Sequence, residues 1–220
     1  MSNRYILDLA TTPLAGAEAW LPPVRPARNL KDPVKIAADI AEKETEQREK
    51  MGLDLDLCRI TALGTCDVTG WTTGPVTVEL AETEADEAAL LASWLPRLRD
   101  AETITFNGLA FDLPLLERRL MYLGLAPLGW NLDKYRTRHV DLLAKLSNFG
   151  SRPYRSLEFY CKRLGWADLK KPLSGAEEAT ALRDGKALEL AESVRHDVTA
   201  TLRLAAWMRV VSLTDTEVPV

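Results

Sequence analysis

The chain has 220 residues, with 28 Lys plus Arg against 32 Asp plus Glu and a net charge of −4 at neutral pH. A hydrophobic fraction of 46% and a charged fraction of 27% are those of a soluble globular protein long enough to bury a full core in one domain. The slight acidic excess excludes global attraction to polyanions, so a nucleic-acid partner would have to be held by a local basic groove and by metal ions.

In chain order, Arg4 to Leu9 predicts a buried strand. Residues 11 to 33 carry Pro13, Pro22, Pro23, Pro26 and Pro33 and predict a loop, because proline removes a backbone donor and fixes φ. Asp32-Pro33 opens a polar helix to about Met51, with Asp32 as N-cap and a thin apolar stripe that marks it as peripheral. Cys58 to Val68 and Val76 to Ala81 predict strands joined by a turn at Thr69-Gly70. A helix over 82–98, a short strand over 103–106 and a helix over 113–123 follow. Residues 140 to 146 open as a short strand or a helix start, and 156 to 164 form a helix stopped by Gly165. The last element is a long helix over 186–211, with Leu190, Val194, Val198, Leu202 and Ala205 at helical spacing. Strands first, then alternating helix and strand, predict an α/β domain on a mixed sheet.

Three cysteines, Cys58, Cys66 and Cys161, without CxxC spacing, and only two histidines argue against zinc and for a reducing compartment. The first residues are not a signal peptide, since Asp8 breaks a short apolar run. No stretch reaches the ~20 apolar residues of a membrane span. The expectation is a cytoplasmic protein without membrane contact.

Three aspartates carry the chemistry. Asp8 ends the run Tyr5-Ile6-Leu7, Asp112 closes Asn107-Gly108-Leu109-Ala110-Phe111-Asp112, and Asp197 lies in Val194-Arg195-His196-Asp197-Val198. Carboxylates from a first strand, a helix start and a last helix suit hard divalent cations and phosphate esters. Each also has a plainer reading: Asp8 as a turn residue, Asp112 as a helix N-cap, Asp197 as the ion-pair partner of Arg195 or Arg203. Only their conjunction favours a metal site.

In these segments the chain resembles the DEDD (DnaQ-like, ribonuclease-H-like) 3′–5′ exonuclease superfamily, and in particular the stand-alone, phage-type branch similar to the proofreading domain of family B DNA polymerases. The Asn-x-x-x-Phe-Asp motif is complete from Asn107 to Asp112. The likeness extends over Leu57 to Gly64 and His139 to Leu143. It implies a mixed five-stranded sheet flanked by helices, one domain over 1–220 with a proline-rich loop and helix inserted at about 11–52, and two-metal hydrolysis at single-stranded DNA 3′ ends. By resemblance, two Mg²⁺ or Mn²⁺ ions would be held by Asp8, Asp112 and Asp197, with a DNA polymerase or another replication protein as partner.

Two positions depart from that pattern. Where Asp-x-Glu would place a glutamate there is Ala10, and where Tyr-x-x-x-Asp would place a tyrosine there is Ser193. Three carboxylates facing two dications leave a charge of +1 rather than 0, which weakens metal affinity and impairs turnover. Serine is no base near neutral pH, so Glu192, five residues before Asp197, is the candidate to orient or deprotonate water. His196 is expected to point elsewhere, since one residue turns about 100° around a helix. Asn107 and Phe111 are expected near the substrate, although Phe111 also reads as core, and Asp141 reads equally as structural or site-proximal. Short basic clusters at Arg118-Arg119, Arg152 with Arg155, Lys162-Arg163 and Lys170-Lys171, with Tyr154, Phe159, Tyr160 and Trp166 among them, point to 148–173 as the strand-binding segment, with Lys170 and Lys171 as phosphate contacts. An inactive nucleic-acid-binding or replication-partner module of the same fold is the alternative function; an endonuclease or ribonuclease is the third.

Overall fold

A computed structural model describes residues 3–70, 73–166 and 171–212. Strand β1 (Arg4–Pro13) lies at the centre of a five-stranded sheet, with β2 (Cys58–Asp67) antiparallel on one side and β4 (Glu102–Thr105) parallel on the other. Outside them, β3 (Thr77–Leu80) pairs antiparallel with β2, and β5 (Val140–Asp141) parallel with β4, in the order β3-β2-β1-β4-β5. The helices are α1 (Pro33–Lys50), α2 (Glu84–Leu98), α3 (Asp112–Tyr122), α4 (Leu142–Leu146), α5 (Leu157–Arg163), α6 (Gly175–Glu178) and α7 (Ala187–Trp207).

Alternation along β1 builds the two halves of the core. Tyr5, Leu7 and Leu9 pack with Trp94 of α2 and with Leu113 and Leu116 of α3, whereas Ile6 and Ala10 pack with Val194, Val198 and Leu204 of α7. Asp8 therefore points to the α7 side, as does residue 10. β1 runs four residues beyond the expected Leu9. A bulge permits this: Ala10 faces Ala62 and Thr11 faces Ile60, so Thr61 is the extra residue on β2.

The expected elements are present with small shifts. Asp32 caps α1 by accepting from Val34 N at 2.9 Å, and no residue of α1 is buried, as its thin apolar stripe implies. α2 starts two residues late, at a capping box in which the Thr83 hydroxyl and the Asp86 carboxylate satisfy each other's backbone N–H groups. Residues 140–146 are both alternatives in succession, β5 then α4. α7 stops at Trp207, four residues early. The short α6 was not foreseen.

Two constraints hold the helices in place. Glu87 of α2, fully buried, accepts from Ile60 N at 2.9 Å and from Arg119 Nε and Nη2 at 2.8 Å each, which ties α2 and α3 to β2. Arg119, expected in a DNA-contacting basic cluster, is thus a buried structural cation, and Arg118 pairs with Asp56 at 2.8 Å. On the other face, Gly64 sits opposite Asp8, and a Cβ there would lie 2.5 Å from Val194 Cγ1 and 2.7 Å from Val198 Cγ2. Only glycine lets α7 settle this close to β1 and β2. Gly64→Ala is expected to destabilise the chain by about 1–3 kcal/mol through overpacking, read by urea denaturation; an unchanged midpoint would show that α7 does not depend on this contact.

Candidate active site

The mixed five-stranded sheet and the helices beside it bring the three aspartates within reach of one another's charge. Asp8 projects from mid-β1 toward α7 and so is not a turn residue. Asp112 opens α3 without capping it; its Oδ1 instead accepts from Leu9 N at 3.1 Å, one residue beyond Asp8. Asp197, on the sheet-facing side of α7, pairs with Lys171 and with His196 Nδ1 at 3.0 Å, rather than with Arg195 or Arg203. His196 therefore does meet the site, correcting the expectation that it points away.

These carboxylates lie within reach of one another's charge. Loss of solvent, then the charges of Asp197 and Asp112, push the Asp8 carboxyl well above its ordinary range; Lys171 offsets part of this and Glu178 adds to it. Burial raises Asp112 to about 7; backbone hydrogen bonds oppose the rise, and Asp141 and Asp197 reinforce it. For Lys171, burial acts to lower the pKa, but the Asp197 and Glu178 carboxylates outweigh it and hold the ammonium above its usual value. Lys171 is therefore an internal counter-ion, not the exposed phosphate contact expected of it. Lys170, its expected companion, lies outside the described residues.

The loop before Asp112 is built around Asp141. Its Oδ1 accepts from Asn107 N and Ala144 N at 3.0 Å each, and its Oδ2 from Leu109 N at 3.1 Å. This clamp holds Asn107 at a left-handed φ of 69°, where asparagine is tolerated. It also needs Gly108, since a Cβ there would meet Thr105 Oγ1 at 2.2 Å. Asn107 is exposed beside the site, and Phe111 packs half-buried against the core. Asp141 is a positioning residue for the motif.

Glu192 is not brought in. It is exposed and pairs with Arg195 at 3.4 Å, while Arg195 donates to Val76 O of the β3 side at 2.9 Å. Five helical residues separate it from Asp197 by about 140°. Ser193 is fully buried, and its hydroxyl donates to Glu178 Oε1. Glu178 was missed: Glu177-Glu178 follows Ser174 as an ordinary capping sequence, and nothing in it tells that Glu177 caps while its neighbour turns inward.

The carboxylates among them offer hard oxygens with mutually repelling charges, the donor type that suits a divalent cation. Among the described residues, no group of three or more His, Cys, Asp or Glu is drawn in to metal-ligand spacing; Lys171 instead lies between Asp197 and Glu178.

The family model for "Predicted 3'-5' exonuclease related to the exonuclease domain of PolB" matches residues 52–216. The chain belongs to this family. It is thereby a member of the DEDD, ribonuclease-H-like exonuclease superfamily, and the match includes Asp112 and Asp197 but begins after β1. The structure of the family B DNA polymerase from the hyperthermophilic archaeon Pyrobaculum calidifontis resembles it with a TM-score of 0.57 at 18% identity, over 95% of this chain and 25% of that one. Two exonuclease I structures, one of them the E. coli enzyme in complex with a dT13 oligonucleotide, align at a TM-score of 0.46 and 13% identity, over 96% and 95% of this chain and 41% of theirs. The chain thus spans a quarter of the polymerase. No curated protein matches it.

The raised carboxyls give a pH signature for this family member. The folded chain holds the Asp112 proton up to about pH 7, and the unfolded chain only to the ordinary 3.8. The folded state therefore binds more protons across that window, and stability in the presence of chelator falls as pH rises through it. Asp112→Asn, which keeps an oxygen for Leu9 N, should melt at a higher temperature than the parent at pH 8 and show less loss between pH 5 and pH 8. A lower melting temperature at pH 8 would contradict the cost of burying a charged carboxylate at position 112.

Proposed function

We propose that this family member hydrolyses phosphodiester bonds from the 3′ ends of single-stranded DNA with two Mg²⁺ or Mn²⁺ ions. The supporting observation is that Asp8 feels the charges of both Asp197 and Asp112, so carboxylates from β1, α3 and α7 share one place in an exonuclease-family fold. Divalent ions held by them would supply the positive charge that activates water and steadies the departing 3′ oxygen. The residues' own parts follow from their positions. Asp8 is within reach of the charges of the other two, Asp112 is pinned to β1 through Leu9 N, and His196 bears on Asp197 through a hydrogen bond. With Glu192 turned away, His196 and Lys171 are titratable side chains in hydrogen-bond contact with Asp197.

Adjacent chemistry supports a single-stranded polyanion. α5 packs against α7, the helix that carries Asp197. On and before α5, Tyr154 and Phe159 are exposed, and the Arg155 guanidinium lies 5.3 Å from the centre of the Phe159 ring. Stacking faces beside a cation suit unpaired bases. A cleft of about 1120 Å³ at the end of β1 is less suited, because Arg48, Arg59 and Arg183 are balanced there by Glu18, Glu49 and Glu82. A DNA polymerase or other replication protein as partner, cytoplasmic location and a single-domain chain complete the reading. No helix among the described residues is long and apolar enough to cross a membrane.

The second reading is an inactive DNA-binding module, favoured by Ala10 and by Lys171 lying between two of the carboxylates. Oligonucleotides labelled at either end, incubated with Mn²⁺, separate the two. Stepwise loss from the 3′ end, reduced at least about 100-fold by Asp8→Asn or Asp197→Asn, is expected; binding without cleavage favours the module, and internal cuts an endonuclease. For the strand surface, Phe159→Ala should cost about 1–3 kcal/mol in binding of a dT oligonucleotide. Arg155→Glu should lower the log-log salt slope by about 0.7 for each phosphate it no longer neutralises. Unchanged binding in both would remove α5 from the interface.

A further inference from the structure

Two side chains outside the family motifs stand among the aspartates. Lys171 Nζ contacts Asp197 Oδ2 and lies 2.9 Å from Glu178 Oε1, so one ammonium is held between two carboxylates from different elements. The arrangement is largely shielded from solvent, Glu178 being 14% exposed and Lys171 28%. Ser193 Oγ donates to the same Glu178 oxygen and orients it. Carboxylates gathered around a shared cation are what a divalent ion would also require, and the ammonium marks where positive charge is wanted.

The location matches the gap on β1. Residue 10 lies on the same side of the sheet as Asp8, buried in the cluster that includes Ala181 and α7. α6 lies over this end of β1, where Thr12 Oγ1 donates to Ala179 O at 2.6 Å, and Glu178 is the residue before Ala179. It is close enough for its charge to bear on Asp8. Resting on the exonuclease reading above, we propose that Glu178 is the fourth carboxylate ligand of the metal site, supplied from α6 in place of residue 10. Lys171 is its counter-cation when no metal is bound, and gives way to the divalent ion. Four carboxylates then neutralise two dications, and the deficit left by Ala10 disappears.

Mn²⁺ binding to the full chain without DNA tests this, by calorimetry and by the electron paramagnetic resonance of free Mn²⁺. Glu178→Gln should weaken Mn²⁺ binding about 10- to 100-fold at an unchanged melting temperature in chelator. Lys171→Met, which removes the competing charge, should tighten it. Ala10→Glu added to a folded Glu178→Gln chain should recover affinity. Parental affinity in Glu178→Gln, unchanged or weaker affinity in Lys171→Met, or no recovery in the double variant each overturns the assignment. Asp8→Asn separates the two levels: if it abolishes Mn²⁺ binding while Glu178→Gln keeps the parental affinity, only the role of Glu178 falls. If the parent binds no Mn²⁺, or Asp8→Asn binds it equally, the exonuclease reading falls as well.

Discussion

The closeness of α7 to the sheet at Gly64 decides whether a site exists at all. Asp8 and Gly64 are cross-strand partners, and the space a side chain would take at Gly64 is occupied by Val194 and Val198. Asp197 immediately precedes Val198 on that helix. The missing Cβ on β2 is therefore what allows a carboxylate on β1 and one on α7, 189 positions apart in the chain, to come within reach of each other's charge. A side chain there would have to displace Val194 and Val198 on the helix that carries Asp197.

The third aspartate is placed by hydrogen bonding. Asp112 gives an oxygen to Leu9 N, and its preceding loop is bent back by Asp141, which takes three backbone N–H groups at once. The buried Glu87–Arg119 pair anchors the same helix to β2. These devices concentrate negative charge against its own repulsion, a cost that must be met by cations. In the protein alone part of that cation is Lys171, a residue outside the family motifs. Burial first, and then the neighbouring carboxylates, raises the Asp8 and Asp112 carboxyls, and the same negative charge holds Lys171 in its ion pairs.

What could be read from the chain by itself was local. Periodicity and punctuation located the principal helices and strands, because apolar spacing and Gly, Pro and capping residues act within a few positions; Asp32 capping α1 and the strand-then-helix at 140–146 are instances. The motif context of Asp112 was legible for the same reason, being contiguous. Elements whose limits depend on neighbours were less so: β1 extends to Pro13 only because the bulge at Thr61 lets β2 follow it.

Tertiary structure alone decided which charges meet. Glu177 and Glu178 are indistinguishable by composition, yet one caps a helix and the other faces Lys171. Arg119 and Lys171 look like surface cations and are instead a buried strut and an internal counter-ion, whereas Glu192, chosen by its spacing from Asp197, turns toward Arg195. The chain by itself determined a sheet-and-helix domain with three aspartates in family-like settings. Their convergence, and the carboxylate and ammonium that join them, came from packing, because Coulomb interactions depend on distance in space and a linear sequence holds no record of that distance.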